Sequence, residues 1–320
     1  MTDTSLSHHR IGVLMGGCSS EKEISLKTGH AIAQALTAGG CQVVPIELQR
    51  HAEEEVLEAV TKNNISLVFI AMHGAFGEDG TLQAILEKKN IPFTGSDSRA
   101  SRLAMNKGTT QQIMRQNGID IPEYRIIEDM SAGLDTLTNE IHRCPLVVKP
   151  AAEGSSVGIT IIRHPSEVPL ALEQALALGQ QALLERYIPG REITVGLLGD
   201  QALTPIEIRP REGFFDFKAK YEKGRTEYLI PAPISGQATR AVQEVARRAF
   251  DLLGCRDFAR ADFILDEQDR PFFLEMNTIP GFTSTSLLPM AARQAGLSFE
   301  DLCLRILGYA LKRHASQVTQ

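Results

Sequence analysis

No two of the chain's five cysteines form a C-x-x-C pair: Cys18, Cys41, Cys144, Cys255 and Cys303 are scattered and odd in number. That spacing argues against a zinc site and a disulfide framework, and fits a reducing compartment. No apolar run approaches the ~18 residues of a membrane helix. The stretch from Met1 to Arg10 is polar, with His8 and His9 reading as part of a tail, so the expectation is a cytoplasmic protein with no membrane partner. Basic residues are not in excess either. With 33 lysines and arginines against 39 acids, the net charge of −6 argues against a general nucleic-acid surface. Anionic substrates must then be met by particular lysines and arginines.

Two nucleotide signatures are also missing. The glycines Gly12, Gly16 and Gly17 do not make G-x-G-x-x-G, and Glu47 falls about thirty residues on where a ribose-binding acid would come after about twenty. The turn Lys149–Gly158 is not the G-x-x-x-x-G-K-[ST] phosphate loop, whose lysine comes last and opens a helix. Internal repeats and low-complexity tracts are absent.

What is present begins with length. A chain of 320 residues is long for one core, so two or three domains are expected. The first hundred residues alternate apolar strands (Arg10–Met15, Gln42–Glu47, Ser66–Ala71) with helical patterns (Glu23–Ala38, Ala52–Thr61). That order predicts a doubly wound parallel sheet, with ligands at the strands' carboxyl ends. Two loops stand there, Gly16–Glu21 and His73–Gly80. A second unit starts near Gly95–Arg99, with a helix Lys107–Asn117 closed by Gly118, a strand Tyr124–Ile127 and a helix near Leu134–Ile141. Strands Leu146–Lys149, Gly158–Ile162 and Ala182–Tyr187 complete it, and Pro189-Gly190 marks a junction. The last unit has strands Glu192–Leu198 and Ala202–Ile208, then a charged segment Pro210–Ile230 long enough to be a functional loop. A helix Thr239–Leu253, a hairpin Phe258–Leu265 with Phe272–Met276, a loop and a terminal helix Phe299–His314 finish the chain.

The hairpin carries the strongest local chemistry. Alternation puts Arg260 with Asp262 on one face, and Glu275 with Asn277 on one. A register pairing Asp262 with Glu275 opposes two carboxylates, which is destabilising unless a cation sits between them. Two carboxylates and a carboxamide make the oxygen-rich shell Mg²⁺ prefers when phosphates complete it; a surface hairpin with its acids in water fits the same pattern. The turn Lys149–Gly158 offers backbone N–H groups and hydroxyls to phosphate oxygens, or is only a turn. Lys107 opens a helix, against the dipole's preference, and is a solvated lysine unless an anion lies nearby; the same holds for Lys220. Glu21, at a strand end, suits a substrate ammonium. His73 is either a hydrogen-bonded structural histidine or part of the site.

Taken in order, these segments resemble the D-alanine–D-alanine ligases of the ATP-grasp superfamily. The shared motifs are Gly-Gly-x-Ser-x-Glu-x-Glu-x-Ser (Gly16 to Ser25), His-Gly-x-x-Gly-Glu-Asp-Gly (His73 to Gly80), Met-x-Lys (Met105 to Lys107) and Glu-Gly-Ser-Ser-Val-Gly (Glu153 to Gly158). Lys-Tyr (Lys220, Tyr221), Asn-Thr-x-Pro-Gly (Asn277 to Gly281) and Ser-Leu-x-Pro (Ser286 to Pro289) follow in the same order. Departures are Cys18 where threonine is common, Ala151-Ala152, Ala259, Ala261 and Ile279; none removes a proposed ligand.

The resemblance implies an N-terminal α/β domain (1–98) with a doubly wound parallel sheet, then the two α+β subdomains of an ATP-grasp fold (99–189 and 190–320), with a closing loop 210–230. It implies joining of two D-alanines with ATP as co-substrate, through an acyl phosphate, for peptidoglycan precursors. Lys107 and Lys149 would hold the α- and β-phosphates, with Glu185, Tyr187 and Ile188 lining the adenine pocket and Glu192 on the ribose. Asp262, Glu275 and Asn277 would ligate two Mg²⁺ ions, for which Mn²⁺ can substitute. Lys220 would reach the γ-phosphate. Glu21 would take the first ammonium, linked through Ser155 to Tyr221, and His73 would lie nearby. Arg260 and the Gly281 N–H would stabilise an oxyanion, and Ser286 with Lys220 would fix the second carboxylate. Tyrosine at 221 goes with the dipeptide, phenylalanine there with the D-lactate depsipeptide. A homodimer is the family expectation. Rivals are another carboxylate–amine ligase of the superfamily, a regulatory nucleotide-binding module and a dehydrogenase.

Overall fold

A computed structural model describes residues 6–19, 21–130, 144–152, 158–211 and 226–318. Three sheets organise it. The first is parallel, in the order β2-β1-β3, from β1 (Arg10–Gly16), β2 (Gln42–Leu48) and β3 (Leu67–Ile70). From Ile11 to Gly16, and throughout β3, every residue is buried, because helices cover both faces. Helix α1 (Lys22–Ala38) lies against β1 and β2. Helices α2 (Glu53–Lys62) and α3 (Thr81–Lys88) share a second core with Leu14, Val68 and Ile70. The doubly wound reading therefore holds, and both loops singled out from the sequence follow carboxyl ends of strands, Gly16–Glu21 after β1 and His73–Gly80 after β3.

Helices α4 (Ser98–Met105) and α5 (Lys107–Gln116) come next, joined at Asn106, whose side chain accepts the Thr109 N–H at 2.8 Å and caps α5. The second sheet is antiparallel, in the order β4-β7-β5-β6: β4 (Tyr124–Ile127), β5 (Leu146–Pro150), β6 (Thr160–Ile162) and β7 (Ala182–Arg186). Helix α6 (Val168–Leu178) packs its Val168, Ala171, Leu172 and Ala175 on it. The strand expected from Gly158 starts two residues later, since Gly158 takes φ +74°. The helix expected near 134–141 lies outside the described residues.

The third sheet is antiparallel along β11-β10-β8-β12-β13, with short β9 (Gln201–Ala202) pairing β8 (Arg191–Leu198). The single strand expected over Ala202–Ile208 is instead broken into β9 and β10 (Ile206–Pro210), because Pro205 has no N–H to give a ladder. The end of the charged segment is a strand rather than loop: β11 (Thr226–Leu229) pairs Tyr228 with Ile208. Helix α7 (Gly236–Leu253), capped by Ser235 at 3.0 Å, buries Ala238, Val242, Ala246 and Phe250 on one face, against β12 (Phe258–Leu265) and β13 (Pro271–Asn277). Helices α8 (Leu287–Gln294) and α9 (Phe299–Val318) cover the other face and meet α1. Phe69 of β3, Phe258 of β12 and Phe282 form an aromatic cluster with centroids 5.6–6.4 Å apart, tying the parallel sheet to the third sheet.

Candidate active site

The β12–β13 hairpin has the register that the sequence pattern made interesting: Asp262 opposes Glu275 and Arg260 opposes Asn277, with a bulge after Asp262. Two carboxylates face each other across a ladder, yet each is answered. Asp262 accepts from Arg260 Nε at 2.8 Å and Nη2 at 2.6 Å, from Asn277 Nδ2 at 3.0 Å, and from Thr194 Oγ1 at 2.6 Å. Glu275 takes the Lys107 ammonium at 3.2 Å and Asn277 Nδ2 at 3.4 Å. Lys107 is thus not a solvated helix-start lysine. It is buried, and its backbone N–H donates to Ala151 O at 2.9 Å, bringing the head of α5 to the glycine-rich turn.

Lys149 is buried too, with its ammonium 2.8 Å from Glu185. The other oxygen of Glu185 accepts from Gln111 Nε2 at 2.5 Å. A path of neighbouring side chains runs Lys149–Glu185–Gln111–Lys107–Glu275–Asn277–Asp262–Arg260, joined by hydrogen bonds and ion pairs except between Gln111 and Lys107, which share a face of α5 one turn apart. The lysines from the middle of the chain and the acids near its end are therefore neighbours. Buried lysines and carboxylates are rare unless paired, and here each carboxylate has a cation.

Beside this path a cleft of about 260 Å³ opens between the second and third sheets, lined by Lys149, Glu185, Tyr187, Ile188 and Glu192. Ile159, Ile264 and Leu274 give it apolar walls, so a flat apolar group with polar edges fits it. At its rim Glu207 is paired with Arg191, and with Arg209 at 3.2 Å. Burial would raise the Glu207 carboxyl, but hydrogen bonds from the two arginines outweigh it and hold the group below the usual carboxylate range.

A second group gathers at the carboxyl end of the parallel sheet. Gly16 and Gly17 take φ +90° and +89°, the left-handed region that favours glycine. The turn they make sets Glu21 at the N-cap of α1, where the dipole favours a carboxylate. Glu21 is buried and sits against the next loop: a Cβ added at Gly74 would lie 2.9 Å from Glu21 Oε2. Ser19 Oγ donates to His73 O at 3.0 Å, binding the two loops. Both ring nitrogens of His73 are engaged, with Thr28 Oγ1 at 3.0 Å and Glu78 Oε1 at 3.2 Å. Burial, and then the nearby Glu21 charge, push the Glu78 carboxyl up against the pull of His73. Past the hairpin, Ser286 holds the position before α8 without capping it; its Oγ accepts the Thr283 N–H at 3.0 Å and lies 3.3 Å from where a Gly281 Cβ would stand. Ser155, Lys220 and Tyr221 lie outside the described residues.

Asp262, Glu275 and Asn277 suit a hard divalent cation by donor chemistry, two carboxylates and an amide, once the Asn277 amide turns to present Oδ1. Among the described residues no three His, Cys, Asp or Glu side chains form a metal cluster, so any such site needs the amide. Thr194 and Gln111 were not picked out from the sequence. Thr194 shares a strand face with Glu192 at a spacing of two, and Gln111 shares a helix face with Lys107 at a spacing of four; both spacings were there to be used.

Comparison with known proteins agrees with this geometry. The family model for the D-ala D-ala ligase C-terminus matches residues 113–308, and that for the N-terminus matches residues 47–96. The D-alanine–D-alanine ligase of Syntrophotalea carbinolica is 44% identical over 309 residues, 96% of this chain and 98% of that protein. That of Geobacter sulfurreducens is 41% identical, covering 96% of each. The crystal structure of the Bacillus anthracis D-alanine–D-alanine ligase complexed with ATP superposes with a TM-score of 0.84 at 31% identity, covering 97% of this chain and 99% of that one. No helix among the described residues is long and apolar enough to cross a membrane. From its first parallel strand to its last helices, this chain belongs to the D-alanine–D-alanine ligase family.

Proposed function

We propose that the protein joins two D-alanines into D-alanyl-D-alanine, converting ATP to ADP and phosphate through a D-alanyl phosphate, to supply peptidoglycan precursors in the cytoplasm. The observation that carries this reading is the set of three neighbouring ion pairs, Lys149–Glu185, Lys107–Glu275 and Arg260–Asp262, laid beside a cleft of about 260 Å³. In it we assign Tyr187, Ile188 and Glu185 to adenine, Glu192 to the ribose, and Lys107 and Lys149 to the α- and β-phosphates. Lys220 is assigned to the γ-phosphate, on a closing loop over 210–230. Asp262, Glu275 and Asn277 would hold two Mg²⁺ ions, or Mn²⁺ in their place. When bound, these supply charge neutralisation at the phosphates. The three units 1–98, 99–189 and 190–320, and assembly as a homodimer, belong to the same proposal.

The residues then divide the work. Glu21 receives the ammonium of the first D-alanine, tied through Ser155 to Tyr221, with His73 behind it. The first carboxylate attacks the γ-phosphate and displaces ADP, which remains bound, while the lysines meet the charge on the phosphates. The second amine attacks the acyl carbon. The oxyanion that forms is met by Arg260 and the Gly281 N–H; for this the Arg260 guanidinium must loosen its hold on Asp262. Ser286 and Lys220 fix the second carboxylate, and phosphate leaves. A loop shut over the site keeps water from the acyl phosphate.

Phosphate release from ATP with D-alanine, against L-alanine and D-lactate, tests the reading. Release and dipeptide formation should depend on D-alanine. Equal release with L-alanine would overturn the stereochemical assignment, and a D-lactate product formed as efficiently as the dipeptide would replace it.

A further inference from the structure

Outside every role assigned above stands His51, in the turn between β2 and α2. That turn is anchored from below: Glu55 of α2 accepts the backbone N–H groups of Gln49 and Arg50, both at 2.8 Å. The ring is then engaged in two directions. Its Nε2 accepts the Cys18 backbone N–H at 3.1 Å, so the ring carries its own proton on Nδ1. Its face lies on Phe76 with centroids 4.8 Å apart and planes 2° from parallel. Cys18 belongs to the loop that leads to Glu21, and Phe76 to the loop of His73 and Glu78. One half-buried side chain therefore joins the two loops that make the amino-acid pocket.

Both loops carry left-handed backbone beside the ring. Phe76 takes φ +74°, which a bulky residue adopts only where its surroundings impose it. The left-handed pair Gly16-Gly17 brings the chain so close to the ring that a Cβ at Gly17 would meet His51 Nε2 at 2.8 Å. We infer that His51 is a positioning residue for the amino-acid site, setting Glu21 relative to His73 through the Cys18 N–H and the Phe76 ring without touching substrate. The inference rests on the reading of Glu21 as the ammonium acceptor.

Two variants separate the two contacts. His51→Phe keeps a ring on Phe76 and removes the acceptor, while His51→Gln keeps an acceptor and removes the ring. Loss of one backbone hydrogen bond should raise the D-alanine KM of His51→Phe about three- to ten-fold, with the ATP KM within about two-fold and the melting temperature near wild type. His51→Gln should fall nearer the wild-type D-alanine KM. An unchanged D-alanine KM in His51→Phe, or an ATP KM rising in proportion, would overturn the inference. Glu21→Gln measured alongside keeps the two readings apart. If it leaves the D-alanine KM unchanged, the ammonium assignment fails and the inference falls with it. If it raises that KM while His51→Phe does not, only the inference fails.

Discussion

Thr194→Val removes one polar atom from the site and almost nothing else. Thr194 is buried on β8, with its Oγ1 2.6 Å from Asp262 Oδ1 and 3.3 Å from Ala261 O. Valine has nearly the same shape, so no cavity opens and the change is electrostatic. Asp262 keeps the two Arg260 donors and Asn277, so the carboxylate is weakened in its hold but not stripped. A hydrogen bond to a charged group contributes about 1.5–3 kcal/mol, and the three remaining donors should keep the loss near the lower end, ~1.5 kcal/mol. Two measurements follow. In denaturant, the midpoint should fall with an unchanged slope. In the ligation assay, the Mg²⁺ concentration for half-activation should rise, because Asp262 then has one donor fewer fixing it in the geometry proposed for the metal ligands. Thr194→Ser, which restores the hydroxyl, should recover both. Stability within ~0.5 kcal/mol of wild type, together with an unaltered Mg²⁺ dependence, would show that the contact positions nothing.

Glu275→Gln keeps the shape of the hairpin and removes one charge opposite Asp262, so ligation at millimolar Mg²⁺ should be lost while circular dichroism is unchanged; near-normal turnover would contradict the metal assignment. Arg260→Ala should lower kcat by about 10²–10³-fold with a smaller change in ATP KM, if the guanidinium acts as an oxyanion donor; a loss confined to ATP binding would refute that role. Glu207 has a depressed carboxyl pKa, so its ion pairs stabilise the fold above the ordinary carboxylate value and lose that effect as pH falls through the lower folded value. The stability gap between wild type and Glu207→Gln should therefore be full at neutral pH and close below about pH 4, as followed by thermal melting across pH.

What the sequence made legible was set by how directly each feature depends on short-range pattern. The strands β1, β4 and β12 start and end within a residue of their apolar runs, because alternation or continuous burial marks them locally. The Asp262–Glu275 register was readable because a short turn fixes it. Four helices among the described residues were not. Helix α6, VPLALEQALAL, is apolar almost throughout and has little contrast between faces, and α4, SRASRLAM, is only eight residues long, four of them serine or arginine. Helices α3 and α8 have eight residues each, too few to establish a period, and α8 carries Pro289 in its first turn, where proline is tolerated. The break at Pro205 was local and readable from the missing N–H, whereas the edge strand β11 depends on a partner remote in sequence, β10. So do Gln111 and Thr194, whose meaning lies in the carboxylates they reach, Glu185 and Asp262.

The pairing of charges constrains how ligands can enter. Asp262 is held by Arg260, Glu275 by Lys107 and Glu185 by Lys149. At 4 Å and an effective dielectric of 20, one such unit-charge interaction is about 4 kcal/mol. A nucleotide polyanion arriving alone would draw the lysines to its phosphates and leave Glu275 and Asp262 opposed across the hairpin with less to answer them. Divalent cations arriving alone would take those carboxylates and leave Arg260 and Lys107 facing like charge. On the proposed assignments, the two brought in together would exchange partners in step: lysines would pass from carboxylates to phosphates, and carboxylates from guanidinium and ammonium to metal. The same exchange would free Arg260 for its proposed role at the oxyanion. On this account ATP affinity should depend steeply on divalent cation in the intact protein, and that dependence should flatten once Glu275 is made glutamine.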